Sequence, residues 1–279
     1  MKRSYVAGAV LTCVLAGSAM AADMPLKAPV PRVVSDWTGF YIGVHGGYGW
    51  ARPSISDFDL NHSNPSLSAF TEDLFLHAAR LRGAVFGGHA GYNWQWGQRG
   101  VVGLEIDYSG ANIKSTQEIS VDWNLGVNCT CPQPIDTRTL QSKLDSLASA
   151  RARAGFLIGP DFLLYGTGGA AWGHTKFADT LVRQNFNSSG ALASETIWAS
   201  RASANHFGWV AGAGAEWKLW NSGLMLRVEY LHYDFGSASL AFDQTNTSIG
   251  GVQTKFTNFN VPVDRLTTDV VRGGVSYKF

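Results

Sequence analysis

The sequence predicts an all-β fold, an eight-stranded antiparallel transmembrane up-and-down β-barrel with four long extracellular loops and short periplasmic turns. Three observations carry this. In the closing stretch Asp269–Phe279, strand geometry puts Asp269, Val271, Gly273, Val275, Tyr277 and Phe279 on one face and Val270, Arg272, Gly274, Ser276 and Lys278 on the other. The same apolar/polar alternation recurs upstream, and the connections between its segments run long, short, long, short, long, short, long. The apolar rows end in Trp and Tyr, the side chains that membrane interfaces favour. Soluble sandwiches also alternate strands and turns. They do not sort connection length by parity, as outer-membrane barrels with long outside loops do.

Composition agrees. Of 279 residues, 15% are charged and 12% aromatic, and 32 are Gly. No apolar run after the N-terminus is long enough for a helical span, which needs about 18 residues. Near-zero mean hydropathy does not contradict a barrel, because alternation averages away in any window. Residues 1–21 read as an export signal: Lys2-Arg3, an apolar core from Val6 to Leu15, and Ala19-Met20-Ala21 as the cleavage site. Residues 22–36, with Pro25, Pro29 and Pro31, read as a periplasmic lead-in, and residues 37–279 as the barrel. Removing Lys2 and Arg3 leaves 20 of the 22 basic residues against 21 acidic ones, which gives no reason to expect a nucleic-acid partner. Cys13 leaves with the signal. Cys129 and Cys131 remain, one residue apart, as a candidate loop clip with no further metal ligands beside them.

Strand one alternates Phe40, Ile42, Val44, Gly46, Tyr48 and Trp50 with Tyr41, Gly43, His45, Gly47 and Gly49. The first long connection, Ala51 to Gly83, contains a candidate short helix from Thr71 to Leu81. Strand two sets Phe86, Ala90, Tyr92, Trp94 and Trp96 against His89, Asn93 and Gln95, and Gly97–Gly100 leads to strand three, where Val102, Leu104, Ile106 and Tyr108 oppose Glu105 and Asp107. The second long loop is expected from about Lys114 to Lys143. Strand four sets Leu144, Ala148, Ala150, Ala152, Ala154 and Phe156 against Ser149, Arg151 and Arg153, and Gly159-Pro-Asp161 turns the chain. Strand five, Phe162 to Lys176, is blurred by glycines, and a third long loop is expected at Asp179 to Ala204. Strand six carries Phe207, Trp209, Ala211, Ala213, Ala215 and Trp217 outward with Glu216 and Lys218 inward. Strand seven, after Asn221-Ser-Gly223, sets Leu224, Leu226, Val228 and Tyr230 against Arg227 and Glu229, and a fourth loop runs from Gly236 to about Leu266. If Asn221-Ser222 is a two-residue hairpin loop, Glu216 stands opposite Arg227.

These segments resemble a known family. Trp37-Thr-Gly-Phe-Tyr-Ile-Gly43, Gly46-Gly-Tyr-Gly-Trp50, Gly91-Tyr-Asn-Trp94, Gly103-Leu-Glu-Ile-Asp107, Val228-Glu-Tyr-Leu231 and Val271–Phe279 resemble OmpA-like outer-membrane β-barrels, in the alphaproteobacterial branch of immunodominant and haemin-binding surface proteins. The resemblance covers strands one to three and six to eight, and the long loops hardly at all. It implies the outer membrane of a Gram-negative bacterium, contact with outer-membrane lipid and lipopolysaccharide, and delivery by a barrel-assembly machinery that reads a C-terminal aromatic such as Phe279. It does not imply one ligand, since members are described as structural, adhesive, haem-binding or loosely as porins.

The inward rows gather Glu105, Asp107, Glu216 and Glu229 with Arg151, Arg153, Lys218, Arg227 and Arg272. A barrel this narrow is filled by its own side chains, so these charges read as a self-neutralising plug, with a polar path for small solutes as the alternative. His45 and His89 fall on neighbouring inward rows and read as a hydrogen-bonded lumen pair. Haem is too large for the lumen. By family analogy, a haem site would fall to the loops, with His62 and His77 as its candidate ligands. No resident cofactor or metal is otherwise expected. His232 and Asp234 could form a base–orienter pair, but no nucleophilic Ser is marked, and no enzyme is read. The resulting expectation is a structural and surface-interaction protein that presents long loops to an extracellular ligand. A porin-like pore and a haem-binding surface protein are the alternatives.

N-terminal sequencing of the exported protein is expected to begin at Ala22. A start at Met1 would refute the export signal.

Overall fold

The alternating rows fold as ten antiparallel strands in the computed structural model, which describes residues 36–54, 80–122, 133–219, 222–248, 253–263 and 265–279. They are β1 (Gly39–Ser54), β2 (Leu81–Trp96), β3 (Gly100–Asp122), β4 (Ile135–Leu157), β5 (Phe162–Phe186), β6 (Leu192–Lys218), β7 (Leu224–Asp234), β8 (Ala238–Ser248), β9 (Gln253–Val263) and β10 (Arg265–Lys278). β1 to β7 pair in sequence, β7 pairs with β10, and β10 returns to β1, which closes a ring of eight strands. β8 and β9 form a hairpin outside the ring, and β8 adds to the outer part of β6 from Thr196 to Arg201.

Alternation sends one row of each strand outward and the other into the lumen. The outward row is apolar and uncovered: Ile42, Val44, Ile106 and Val228 are all more than half exposed, as a lipid-facing band requires. Aromatics border the band at both ends, with Phe40, Trp94, Trp96, Trp217 and Phe279 toward the short turns and Tyr48, Tyr108, Phe207 and Trp209 toward the other end. Each short turn holds a glycine with positive φ, at Gly97, Gly159 and Gly223, a backbone region that other residues seldom enter. At the closing seam the Phe279 amide donates to the Phe40 carbonyl at 3.0 Å, and the Tyr277 and Phe279 rings meet edge-on.

Two expected loops turn out to be strand. β5 continues to Phe186 and β6 starts at Leu192, so most of the segment expected as the third loop is a paired hairpin. Its tip is organised by Asn187, whose side-chain oxygen accepts from the Ser189 and Ala191 amides. Likewise β3 runs to Asp122 and β4 starts at Ile135, inside the second expected loop. Composition misled here because Ser, Asn and Ala are poor strand formers alone, whereas cross-strand partners decide the outcome. Arg138 and Asp179 form a two-contact ion pair across this extension, and Arg183 and Asp136 form another. The fourth connection holds the β8–β9 hairpin. Residues 71–79 of the expected helix Thr71–Leu81, along with His62, His77, Cys129 and Cys131, lie outside the described residues, and its last residue, Leu81, is instead the first of β2.

A β-bulge separates barrel from extension. The β3–β4 register shifts between Gly110 and Ile113, and the β4–β5 register shifts between Leu144 and Ser146, leaving Asp145 as the extra residue. An extra residue reverses which face each later side chain takes. Leu144, expected in the lipid-facing row with Ala148, is therefore turned inward and fully buried.

The inner wall packs tightly enough to require glycine. A Cβ on Gly47 would lie 2.2 Å from the Val271 carbonyl oxygen and 2.7 Å from the Arg272 Cα, whereas one on outward Gly46 would meet nothing closer than 3.6 Å. Gly47→Ala is expected to lower barrel stability on the order of 1–3 kcal/mol, while Gly46→Ala leaves it nearly unchanged. Urea midpoints of the two variants in lipid vesicles check this, and equal midpoints would contradict the register.

Candidate functional site

The ladder register alone brings opposite charges together. Glu105 of β3 faces Arg151 of β4, Glu216 of β6 faces Arg227 of β7, and Glu229 of β7 faces Arg272 of β10. The Glu216–Arg227 opposition is the one that a two-residue turn at Asn221-Ser222 predicts. The ladder there continues to Leu219, whose amide donates to the Leu224 carbonyl at 2.8 Å. On the other side of these charges the ladder repeatedly supplies glycine: Gly91 beside Glu105, Gly169 beside Arg151, Gly274 beside Arg227, Gly214 beside Glu229 and Gly47 beside Arg272. Missing side chains there leave the lumen room for long charged ones.

Across the lumen the pairs merge into one network of four carboxylates and four guanidiniums, all buried. Arg151 contacts Glu105, lies 3.0 Å from Asp107, and reaches Glu229 at 3.0 Å. Arg153 donates to Glu216 at 3.0 Å and Arg227 to Glu105 at 2.8 Å. Arg227 also lies 3.2 Å from Glu216. Arg272 closes on Glu229 at 2.7 Å and on Asp107 at 3.3 Å. Equal numbers of each sign leave the cluster neutral, and charge-assisted hydrogen bonds replace part of the water each group gives up, while Arg227 Nε and Nη1 are buried without a hydrogen-bond partner among the described residues.

Three residues complete it that the charge pattern alone did not single out. The Tyr41 hydroxyl donates to Glu105 at 2.7 Å and accepts from Arg153 at 3.0 Å. The Tyr165 hydroxyl bridges Arg227 and Glu229, and the Arg153 guanidinium lies over the Tyr165 ring at 4.0 Å. The Ser149 hydroxyl donates to Asp107 at 2.6 Å. Tyr41 already lay on an inward row. Tyr165 was hidden by the glycines of strand five.

His45 and His89 meet in the lumen, with their Nδ1 atoms 3.2 Å apart and their rings stacked. The Nε2 atom of His45 lies 2.8 Å from the Ser109 hydroxyl, and that of His89 lies 2.7 Å from the Ser276 hydroxyl. Arg272 also approaches His45 Nε2 at 3.1 Å. Every ring nitrogen of the pair is therefore engaged by protein.

Lys218 is not part of this network. It ends β6 at the turn side, where its ammonium bonds the Asp36 carbonyl at 2.5 Å and lies 4.5 Å over the Trp37 ring. Alternation points it inward, but the lumen has already ended there, and the long stem reaches the rim. His232 does not pair with Asp234. It bonds Asp269 at 2.7 Å on the outer face, while Asp234 binds Arg265.

Apolar layers seal the charges at both ends. Toward the turns lie Trp37, Val101, Leu157, Leu163 and Met225, with the Trp37 indole N–H held by the Pro160 carbonyl at 3.1 Å. Toward the extension lie Val85, Ile113, Leu144, Leu147, Leu231 and Tyr233, all buried.

The family model and the sequence relatives agree with this architecture. The outer membrane protein beta-barrel domain matches residues 9–279. The 31 kDa outer-membrane immunogenic protein of Brucella melitensis is 30% identical over 278 residues, covering 97% of this chain and 98% of the relative. A 22 kDa outer membrane protein of Rhizobium leguminosarum bv. viciae is 29% identical over 236 residues, covering 80% of each. Among solved structures, the attachment invasion locus protein Ail of Yersinia pestis aligns over 87% of this chain and 99% of its own, at 13% identity and a TM-score of 0.34. The outer membrane protease OmpT of Escherichia coli aligns over 86% and 97%, at 9% identity and a TM-score of 0.26.

Removing one member of the network strands its partners. Glu216→Leu is expected to destabilise the folded barrel on the order of 3 kcal/mol, and Glu216→Gln less, because the amide still accepts hydrogen bonds. Adding Arg227→Met to Glu216→Leu restores only part of the loss, since Arg153 also loses its nearest carboxylate and keeps only Glu105 at 3.5 Å. Urea unfolding in vesicles reads all three. Equal cost for Gln and Leu would refute the buried pairing.

Proposed function

We propose that this chain, which belongs to the outer membrane protein beta-barrel domain family, is a closed membrane anchor that presents a β-sheet extension at the cell surface. It is an outer-membrane β-barrel protein with a surface role, like the relatives it matches over 80% or more of their length. The observation that carries the closed-anchor reading is the sealed lumen: eight paired charges between two apolar layers, capped by fully buried Trp37. A solute path would have to break those pairs and displace the caps. The extension, built from the outer parts of β3 to β6 with β8 and β9, is the surface an extracellular ligand would meet. The immunogenic character in the Brucella relatives' names accords with such a surface. A non-catalytic role is part of this reading: His232 faces outward and bonds Asp269, away from the polar lumen.

Purified protein in planar bilayers is expected to give no sustained unit conductance. Stable, voltage-tolerant single-channel steps would overturn the closed anchor and favour the small-solute pore.

A further inference from the structure

A row of cations crosses the outward face of four neighbouring strands. The register sets Arg82 of β2 opposite Lys114 of β3, Lys114 opposite Lys143 of β4, and Lys143 opposite Lys176 of β5. On β2, β3 and β5 the cation lies on the extension side of an outward aromatic, Phe86, Tyr108 and Trp172 respectively. Like charges directly opposite on a ladder repel. One end of the row is relieved from within, because Asp145 at the bulge contacts Lys143 at 2.6 Å and Lys176 at 2.9 Å. The other end is not. Among the described residues no carboxylate lies within 4.0 Å of Arg82, Lys114, or the adjoining Arg52 and Arg80. These arginines border a hollow of about 340 Å³ whose remaining walls are Tyr48, Trp50 and Ala51.

A cationic cluster with no carboxylate partner among the described residues, directly above a lipid-facing aromatic border, calls for an anion that sits at headgroup height. Arginine forks match phosphate oxygens in pairs, and the exposed Phe86 and Tyr48 below offer apolar contact to acyl chains. A soluble anion would gain nothing from that second surface. We propose that Arg52, Arg80, Arg82 and Lys114 form a binding site for the phosphate groups of the outer-leaflet glycolipid, lipopolysaccharide. The site rests on the orientation of the proposed function, with the extension outside the cell.

The test uses full-length folded protein in detergent, titrated with bisphosphorylated lipid A, dephosphorylated lipid A and inorganic phosphate. Wild type is expected to bind the phosphorylated lipid about tenfold more tightly than the dephosphorylated one, the discrimination that charge-assisted phosphate contacts supply. Arg82→Gln with Lys114→Gln removes the discrimination, whereas Arg82→Lys with Lys114→Arg keeps it. Without lipid A, the neutral double variant should melt at or above wild type, because repulsion is relieved; a lower melting point would make these residues structural and overturn the site. Equal binding of the two lipids, unchanged binding by the neutral variant, or displacement by millimolar inorganic phosphate or a sulfated polysaccharide would each overturn it as well. A tag inserted at Ser188 and probed on intact cells separates the failures. An inaccessible tag overturns orientation and site together, while an accessible tag without lipid discrimination overturns the site alone.

Discussion

A guanidinium inside an eight-stranded barrel has no bulk water to return to, so each one must find a carboxylate or make folding unfavourable by several kcal/mol. That requirement disciplines the rest of the structure. Four carboxylates and four guanidiniums fill the middle of the lumen, and their pairing demands that β3 and β4, β6 and β7, and β7 and β10 meet in one register each. A slip by one residue on any of these strands would turn its charges toward lipid and its apolar row toward the network. The glycines beside the charged positions answer the same demand. Long side chains fit between walls only where their ladder neighbours have none.

The apolar layers above and below keep the network dry, which strengthens every contact in it and makes each contact costlier to lose. Trp37 does this at the turn end, its position held by hydrogen bonds to Gln95 and Pro160. At the other end the bulge around Asp145 turns Leu144 into the lumen, and a second regime begins. Beyond it β4 runs with reversed parity while β3 and β5 keep theirs, and the strands pair through ion bridges such as Arg183–Asp136. Membrane anchor and surface sheet are one continuous set of strands with different rules on either side of one extra residue.

Much of the barrel was legible in sequence because alternation is a local signal. The outward rows of β1, β2, β3, β6, β7 and β10 could be read residue by residue, and turn arithmetic placed Glu216 against Arg227. What escaped was non-local. Strand four could not announce its bulge, so Leu144 landed on the wrong face. The Asp179–Ala204 segment looked like loop because its strand character comes from partners on β4, β5, β6 and β8 rather than from its own composition. Lys218 obeyed the pattern but lay beyond the end of the lumen that gave the pattern meaning. Tyr41 and Tyr165 joined the network through hydroxyls whose targets sit on strands far away in the sequence.

The central charges also divide evenly along the chain. β1 to β4 contribute Glu105, Asp107, Arg151 and Arg153, and β5 to β10 contribute Glu216, Arg227, Glu229 and Arg272, so each half-sheet is neutral by itself. Yet every guanidinium also reaches a carboxylate of the opposite half: Arg151 to Glu229, Arg153 to Glu216, Arg227 to Glu105 and Arg272 to Asp107. In the closed barrel the two half-sheets therefore meet as two complementary zwitterionic surfaces. Neither half carries net charge into the lumen, and each offers the other a patterned face that an unrelated sheet would not match.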